Sequence, residues 1–309
     1  MPVSLENILV VGIASSALFD LAESDRIFRN EGVEAYQKYQ EENIDKPFEP
    51  GVAFPFIKNL LSLNEGLSDP LVEVILLSRN DAKTGLRAFR TINRNNLNIT
   101  RAAFLEGGKP HRYIEPFECD LFLSANDDDV RNAIEAGHSA GCVIAGEGSP
   151  LNDGVENELR IAFDFDGVLA DDESENVYVM EGLDGFMAHE AENVDTPHNP
   201  GPLIPFIQAI GRLQAAEKEL LKDKEESPSR VRVSIVTARG APSHERVLTT
   251  LEKFGITVNE SFFLGGVEKS KILAELKPHI FFDDQITHLK TSKSVAPSVH
   301  VPFGVKNSG

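Results

Sequence analysis

The sequence predicts an α/β protein built from two tandem domains of one fold, each a parallel sheet covered by helices. Apolar strand-like runs alternate with helical stretches, and this order is written twice along the chain. One run, Ile161-Ala162-Phe163, leads straight into Asp164-Phe165-Asp166-Gly167. A buried strand that ends in two acids has no reason to do so for packing alone.

In the first half, Ile8 to Ile13 reads as a strand and is followed by a polar helical region through Tyr39. A Pro/Gly break at Pro47 to Gly51 precedes an amphipathic helix near Phe54 to Leu63. Val72 to Leu77 is a second strand, with a helix around Thr84 to Asn93. Ala102 to Leu105 and Leu121 to Leu123 are short buried strands, a helix falls between Asp129 and Gly137, and Cys142 to Ala145 closes the set.

The second half repeats this order. Glu23-Ser24 recurs as Glu173-Ser174, Asn43 as Asn193, and Pro55-Phe56-Ile57 as Pro205-Phe206-Ile207, every pair 150 positions apart, as 23 is from 173. Farther on, Val72 matches Val231, Ser78 matches Thr237 and Phe122 matches Phe281, now 159 apart, as 122 is from 281. The second copy therefore carries a nine-residue insertion, placed around Lys222 to Arg230. The halves are read as 1–150 and 151–309, divided in the Gly/Pro/Asn/Asp-rich stretch Gly146 to Gly154, with a small helical cap at 173–199.

The same repeat separates chemistry from scaffold. Asp164 and Asp166 correspond at fixed offset to Ala14 and Ser16, and Asp283 and Asp284 to Ser124 and Ala125. Acids needed for folding would be present in both copies. Their one-sided presence assigns function to the second half and leaves the first catalytically empty.

Asp164 and Asp166 sit at i and i+2, on one side of a strand, at the carboxyl end where open α/β sheets place ligands. Two like charges this close need a cation, a shared proton or strong hydrogen bonding, and an oxygen-ligated Mg²⁺ is the simplest answer. A turn rich in Asp and Gly is the bland alternative. Three downstream features shift the balance. Thr237, with the backbone of Ala238 and Arg239, ends the strand at Val236 and can hold phosphate oxygens, or can merely cap a helix. Lys269 and Lys271 follow Phe262-Phe263-Leu264-Gly265-Gly266, and Lys269 is nearer the strand end. Asp283-Asp284 follows the apolar run Ile280-Phe281-Phe282.

Bulk properties set outer limits. A chain of 309 residues accommodates two domains. No apolar run reaches the ~18 residues of a membrane span, and Met1 to Glu6 lacks the pattern of a signal peptide. Cys119 and Cys142 are the only cysteines, which suits a reducing, cytoplasmic setting. A net charge of −19 argues against a nucleic-acid polymer or an anionic membrane as partner, though not against a small phosphorylated one. Homo-oligomerisation is left open.

The order Asp-x-Asp-Gly, Thr, Lys, Asp-Asp resembles the haloacid dehalogenase-like phosphohydrolases over residues 158–305. The resemblance implies Rossmann-type domains, Asp164 as a nucleophile that becomes a phosphoaspartate, and Asp166 as acid and then base. It also implies Thr237, Ala238 and Lys269 around the phosphate, with Mg²⁺ on Asp164, the Asp166 carbonyl and Asp283 or Asp284. A narrower likeness covers the whole chain. Ser15-Ser16-Ala17-Leu18-Phe19-Asp20, Leu77-Ser78-Arg79-Asn80, Asp171-Asp172-Glu173-Ser174-Glu175, Val236-Thr237-Ala238-Arg239 and Pro278-His279-Ile280-Phe281-Phe282-Asp283-Asp284-Gln285 resemble the cytosolic type I 5′-nucleotidases. That family hydrolyses nucleoside 5′-monophosphates, AMP prominently, with Mg²⁺. The alternatives are a sugar-phosphate phosphatase of the same fold and a non-catalytic nucleotide-binding regulator. Arg239 is a further phosphate candidate. Phe186, His189 and Asn193 in the cap are candidates for base or ribose, although structural roles suit each of them. Packing is the expected task of the first half, against a nucleotide site at Arg79, Asn80 and Asp127-Asp128-Asp129.

Overall fold

The computed structural model describes Leu5 and residues 8–146, 158–220 and 229–307. The expected boundary at Gly146 to Gly154 and the insertion around Lys222 to Arg230 fall almost wholly outside the described residues.

The first half runs β1 (Leu9–Ile13), α1 (Ser15–Leu18), α2 (Ala22–Glu42), α3 (Phe54–Ser62), β2 (Val72–Ser78), α4 (Ala82–Arg94), β3 (Arg101–Phe104), β4 (Leu121–Ser124), α5 (Asp127–Glu135) and β5 (Ala140–Val143). The second runs β6 (Leu159–Phe163), α6 (Glu173–Glu192), α7 (Ile204–Leu220), β7 (Val231–Thr237), α8 (His244–Lys253), β8 (Glu260–Phe263), α9 (Lys269–Leu276), β9 (Ile280–Asp283), α10 (Ile286–Ser292) and β10 (Ser298–His300). Short 3-10 turns lie at Pro110–Tyr113 and Val305–Asn307.

Among the described residues, ten strands form one sheet, ordered β3-β2-β1-β4-β5-β10-β9-β6-β7-β8. Each half contributes five parallel strands with the same internal order, and the halves meet where β5 pairs antiparallel with β10. Where the sequence leads one to expect a sheet per half, the edge strands pair and the sheets fuse. Pairing removes two exposed edges at once, which is what an edge strand gains from a partner. Closeness at this seam is enforced by Gly141, where a Cβ would stand 2.3 Å from Val299.

Side chains alternate between the faces, as strands require. Leu9, Val11 and Ile13 point to one face together with Leu159, Ile161 and Phe163, and this core runs unbroken across both halves through Val143 and Val299. On the other face the core is split in two, one cluster around Val10 and Phe122 and one around Ala162 and Phe281. Phe163, Phe206 and Phe282 pack ring on ring at 5.2–6.0 Å between centroids. Truncating any of them costs about 3–5 kcal/mol.

The repeat extends to fine detail. Both long helices, α2 and α6, are kinked at a glycine of positive φ, Gly32 at 84° and Gly182 at 73°, so the helix over the second half has a full counterpart in the first. One departure matters. Ala14 N–H donates to Leu123 and Asp164 N–H to Phe282, an even match of frame. Gly51 N–H then donates to Leu18 but Gly201 N–H to Leu169, which leaves the first half one residue short between 14 and 17. Ser16 is therefore not the spatial equivalent of Asp166, as a fixed offset of 150 implies. The first copy has lost part of the turn along with its acids.

Candidate active site

In each half the strand order reverses beside the first strand, and in the second this switch lies between β6 and β9. Crevices form there because connections leave in opposite directions. The ends of β6, β7 and β9 and the start of α9 bring Asp164, Asp166, Thr237, Lys269, Asp283 and Asp284 to one place.

Lys269 is the hub. Its side chain is buried, with Nζ 2.5 Å from Asp164 Oδ2 and 2.6 Å from Asp283 Oδ2. Burial alone would lower its pKa, but the charges of Asp164 and Asp283 outweigh it and raise it, keeping the ammonium charged. Lys271, two residues on and so on the opposite side of α9, is exposed. Asp164 Oδ1 accepts the Phe165 N–H at 2.7 Å, which fixes the carboxylate plane. Burial pushes the Asp164 carboxyl up to about 6, partly offset by Lys269.

Asp283 and Asp284, equivalent in sequence, differ in space. Asp283 Oδ1 accepts the Gln285 N–H at 2.8 Å, Oδ2 takes Lys269, and His288 Nδ1 stands 3.2 Å from Oδ2. Ligand atoms of Asp164, Asp283 and His288 lie within 4.8 Å of one another, yet every oxygen of Asp283 is already engaged. Asp284 is also buried, and its Oδ1 has no hydrogen-bond partner. Burial and the charges of Asp164 and Asp283 push its carboxyl up to about 9. A buried carboxylate without a partner is costly, and a cation beside it is the usual remedy. The Asp284 backbone is firmly held, its carbonyl accepting from His300 Nε2 and Asn307 Nδ2 at 3.0 Å each. Gly167, at φ +68°, lets the turn pass directly over this acid, where a Cβ would come within 2.7 Å of Asp284 Cγ.

Thr237 is buried at the end of β7, its hydroxyl accepting the Arg239 N–H at 3.3 Å. Arg239 is also buried, and its guanidinium points at protein acids: Nε and Nη2 grip both oxygens of Asp166, at 2.8 and 2.6 Å, and Nη1 binds Glu190. Two aromatic rings, Phe165 and Phe186, lie 5.3 Å from its guanidinium carbon.

A cavity of about 630 Å³ opens above these groups, within the range of small-molecule sites. Asp164, Asp166, Thr237, Ala238 and Arg239 form its floor, and Tyr178, Leu183, Phe186 and Met187 of α6 form an apolar wall. Lys306, paired with Glu175 at 2.8 Å, stands at the rim. Phe186 thus faces the cavity, whereas Asn193 caps α6 through the His189 carbonyl and His189 pairs with Glu173 at 2.9 Å. In the first half, Arg79 grips the buried carboxylate of Asp129 with both ends of its guanidinium. That bond ties β2 to α5 in the manner of a packing contact.

Sequence reasoning passed over Glu190, His198, Arg246 and His288. A signal for the first two was present, since at an offset of 150 they replace Gln40 and Phe48. Uncharged residues in the first copy stand where charged or ionisable ones stand in the second.

A family model described as 5′-nucleotidase matches residues 1–308. The chain is also similar to cytosolic 5′-nucleotidase 1B of Homo sapiens, 33% identical over 314 residues, covering 99% of this chain and 51% of that protein. The chain thus spans about half the length of this curated relative. Among the described residues, no helix is long and apolar enough to cross a membrane.

Proposed function

Since the chain belongs to the 5′-nucleotidase family, we propose that its second half hydrolyses nucleoside 5′-monophosphates, AMP or a relative, to nucleoside and phosphate with Mg²⁺. The observation that carries this reading is the single cavity that joins Asp164 at its floor to the aromatic and aliphatic wall of α6. The floor suits a phosphate and the wall suits a base.

The donor set fits a hard divalent cation: oxygens only, two acids brought together, and Asp284 Oδ1 buried without a partner. Asp164, Asp284 and the Asp166 carbonyl would hold Mg²⁺, which when bound would neutralise charge on the phosphate. Asp284 is preferred to Asp283 because its buried Oδ1 has no hydrogen-bond partner for a cation to displace.

In the first step an Asp164 oxygen attacks phosphorus and the bond to the 5′ oxygen breaks. Asp166, entering the step protonated and with one oxygen turned from Arg239 toward the leaving group, gives its proton to the 5′ oxygen, and the nucleoside leaves. In the second step Asp166, now a carboxylate, takes a proton from water as the water oxygen attacks the phosphoaspartate, releasing phosphate and Asp164. Lys269 balances the charge of Asp164 throughout, and the Thr237 hydroxyl with the Ala238 N–H holds phosphate oxygens.

Phosphate release from AMP, IMP, GMP, CMP, UMP and a set of sugar phosphates, with Mg²⁺ or EDTA, tests the reading on wild type and Asp164→Asn. Release from nucleotides that needs Mg²⁺ and disappears in Asp164→Asn is expected. Release from sugar phosphates alone removes the substrate assignment, and full activity in Asp164→Asn removes the mechanism.

A further inference from the structure

We infer that Glu190, on the helix above the site, is a positioning residue that acts through Arg239 to orient the Asp166 carboxyl. The inference rests on Asp166 being the proton donor of the reaction proposed above.

The geometry is a buried relay. Glu190 is 1% exposed and Arg239 5%. One Glu190 oxygen takes Arg239 Nη1. The other accepts from Ser174 Oγ at 2.7 Å and from Arg246 Nη1 at 2.9 Å. Arg246 is anchored in turn by the Thr196 carbonyl at 2.8 Å, and His198 Nε2 stands 3.0 Å from Ser174 Oγ and 3.1 Å from Arg239 Nη2. A guanidinium is a rigid planar fork. Held by Asp166 alone it could swing with that side chain; held at its far end by Glu190, it fixes the plane and reach of Asp166. Burial opposes ionisation of Glu190, but the hydrogen bond with His198 and the Arg239 charge outweigh it and keep the acid charged.

The first half supplies an internal control. Gln40 stands where Glu190 does, Ser24 for Ser174, Phe48 for His198 and Arg87 for Arg246. Gln40 still bonds Ser24 at 3.0 Å and takes Arg87 at 3.1 Å, and the Phe48 N–H still reaches Thr91 Oγ1 at 3.1 Å, as the His198 N–H reaches Thr250. The clamp between the long helix and the helix after the second strand (α2 with α4, α6 with α8) therefore needs no charge at this position. The half that lacks the charge also lacks both Asp166 and Arg239, whose place is taken by Asn80. Charge at 190 goes with the active site, not with the scaffold.

Glu190→Gln, the residue the first half already tolerates, tests the role in the full chain. Two substrates are compared by kcat/KM: AMP, and the AMP analogue with sulfur as the bridging 5′ atom. The alkoxide leaving from AMP needs a proton, whereas a thiolate leaves readily without one, since thiols are far more acidic. Glu190→Gln should lose roughly 10- to 100-fold on AMP, part of the ~10²–10⁴ that general acid catalysis supplies, and less than about 3-fold on the analogue. Asp166→Asn is run beside it. If Asp166→Asn shows the selective loss and Glu190→Gln loses equally on both substrates or on neither, the inference falls and the mechanism stands. If Asp166→Asn itself shows no selectivity, the mechanism falls first. Should Glu190→Gln not fold, Glu190→Asp keeps the charge with a shorter reach and must show the same selectivity, or the inference is overturned.

Discussion

Replacing Gly167 with Ala should damage the site more than the fold, and the structure says by how much. Gly167 has φ +68°, a region that costs a residue with a Cβ about 1–2 kcal/mol. The added methyl would also stand 2.7 Å from Asp284 Cγ, and ordinary contact begins near 3.4 Å, so the Asp284 carboxyl must retreat by about 0.7 Å, the difference of those two distances. Asp284 Cβ would itself lie 2.9 Å away, so turning the side chain does not relieve the clash; the residue must move against the His300 and Asn307 bonds to its carbonyl and carries with it the carboxyl proposed to hold Mg²⁺. Misplacement on the order of 1 Å can reduce turnover about 100-fold. Gly255 provides the control: its φ is +65° with nothing near its missing Cβ. Thermal melting, phosphate release and Mg²⁺ titration are measured on both variants. Gly255→Ala should lose only the ~1–2 kcal/mol of backbone strain. Gly167→Ala should lose at least as much and also require far more Mg²⁺ and turn over roughly 10- to 100-fold more slowly. A Gly167→Ala protein matching Gly255→Ala in stability, metal requirement and activity would refute the reasoning.

Other perturbations separate further roles. Asp284→Asn should weaken Mg²⁺ binding, read by calorimetry, by more than about 10-fold, the scale on which even outer-shell partners of a metal act; Asp283→Asn should spare binding more and slow turnover by freeing Lys269. Equal effects on binding would remove the distinction between the two acids. Arg79→Ala strands the buried Asp129 and should cost about 1–2 kcal/mol of stability, at the lower end because Arg79 is 41% exposed, with basal turnover unchanged. Loss of a nucleotide-dependent activation in that variant would instead make the first half regulatory. Burial pushes the thiols of Cys119 and Cys142 up from the ordinary thiol range to about 12. Their folded form favours the proton, so the contribution is whole below pH 9 and is lost as pH climbs toward 12. Denaturation midpoints should fall over that range, less steeply in Cys119→Ala/Cys142→Ala, and in a Cys119→Ala protein a thiol reagent at pH 8 should label the buried Cys142 only once the chain unfolds. Rapid labelling of the native chain would contradict the burial.

Local signals made much of the fold legible. Continuous apolar runs placed the strands, Ile8 to Ile13 for β1 and Val72 to Leu77 for β2, because strands buried on both faces have few other ways to be written. Acids after strands were legible for the same reason: nothing in a buried strand end favours Asp164 or Asp283 unless another group meets it. The repeat revealed which half holds them. It hid the residue missing between Ala14 and Ala17, because one is regained between Asp20 and Glu23, where the offset of 150 returns; the hydrogen bonds of Gly51 and Gly201, to Leu18 and Leu169, expose it.

By itself, then, the sequence determined two copies of one α/β pattern and a single set of carboxylates, because strand alternation and strand ends depend on neighbours a few positions away. Tertiary structure decided the rest. Fusion of two sheets at β5 and β10, the unequal lots of Asp283 and Asp284, and the relay from Glu190 through Arg239 to Asp166 all depend on partners brought together from distant positions. Position 239 lies 73 residues from Asp166 and 49 from Glu190, and no local pattern of side chains encodes which of two adjacent acids will find a lysine and which will be left without a partner.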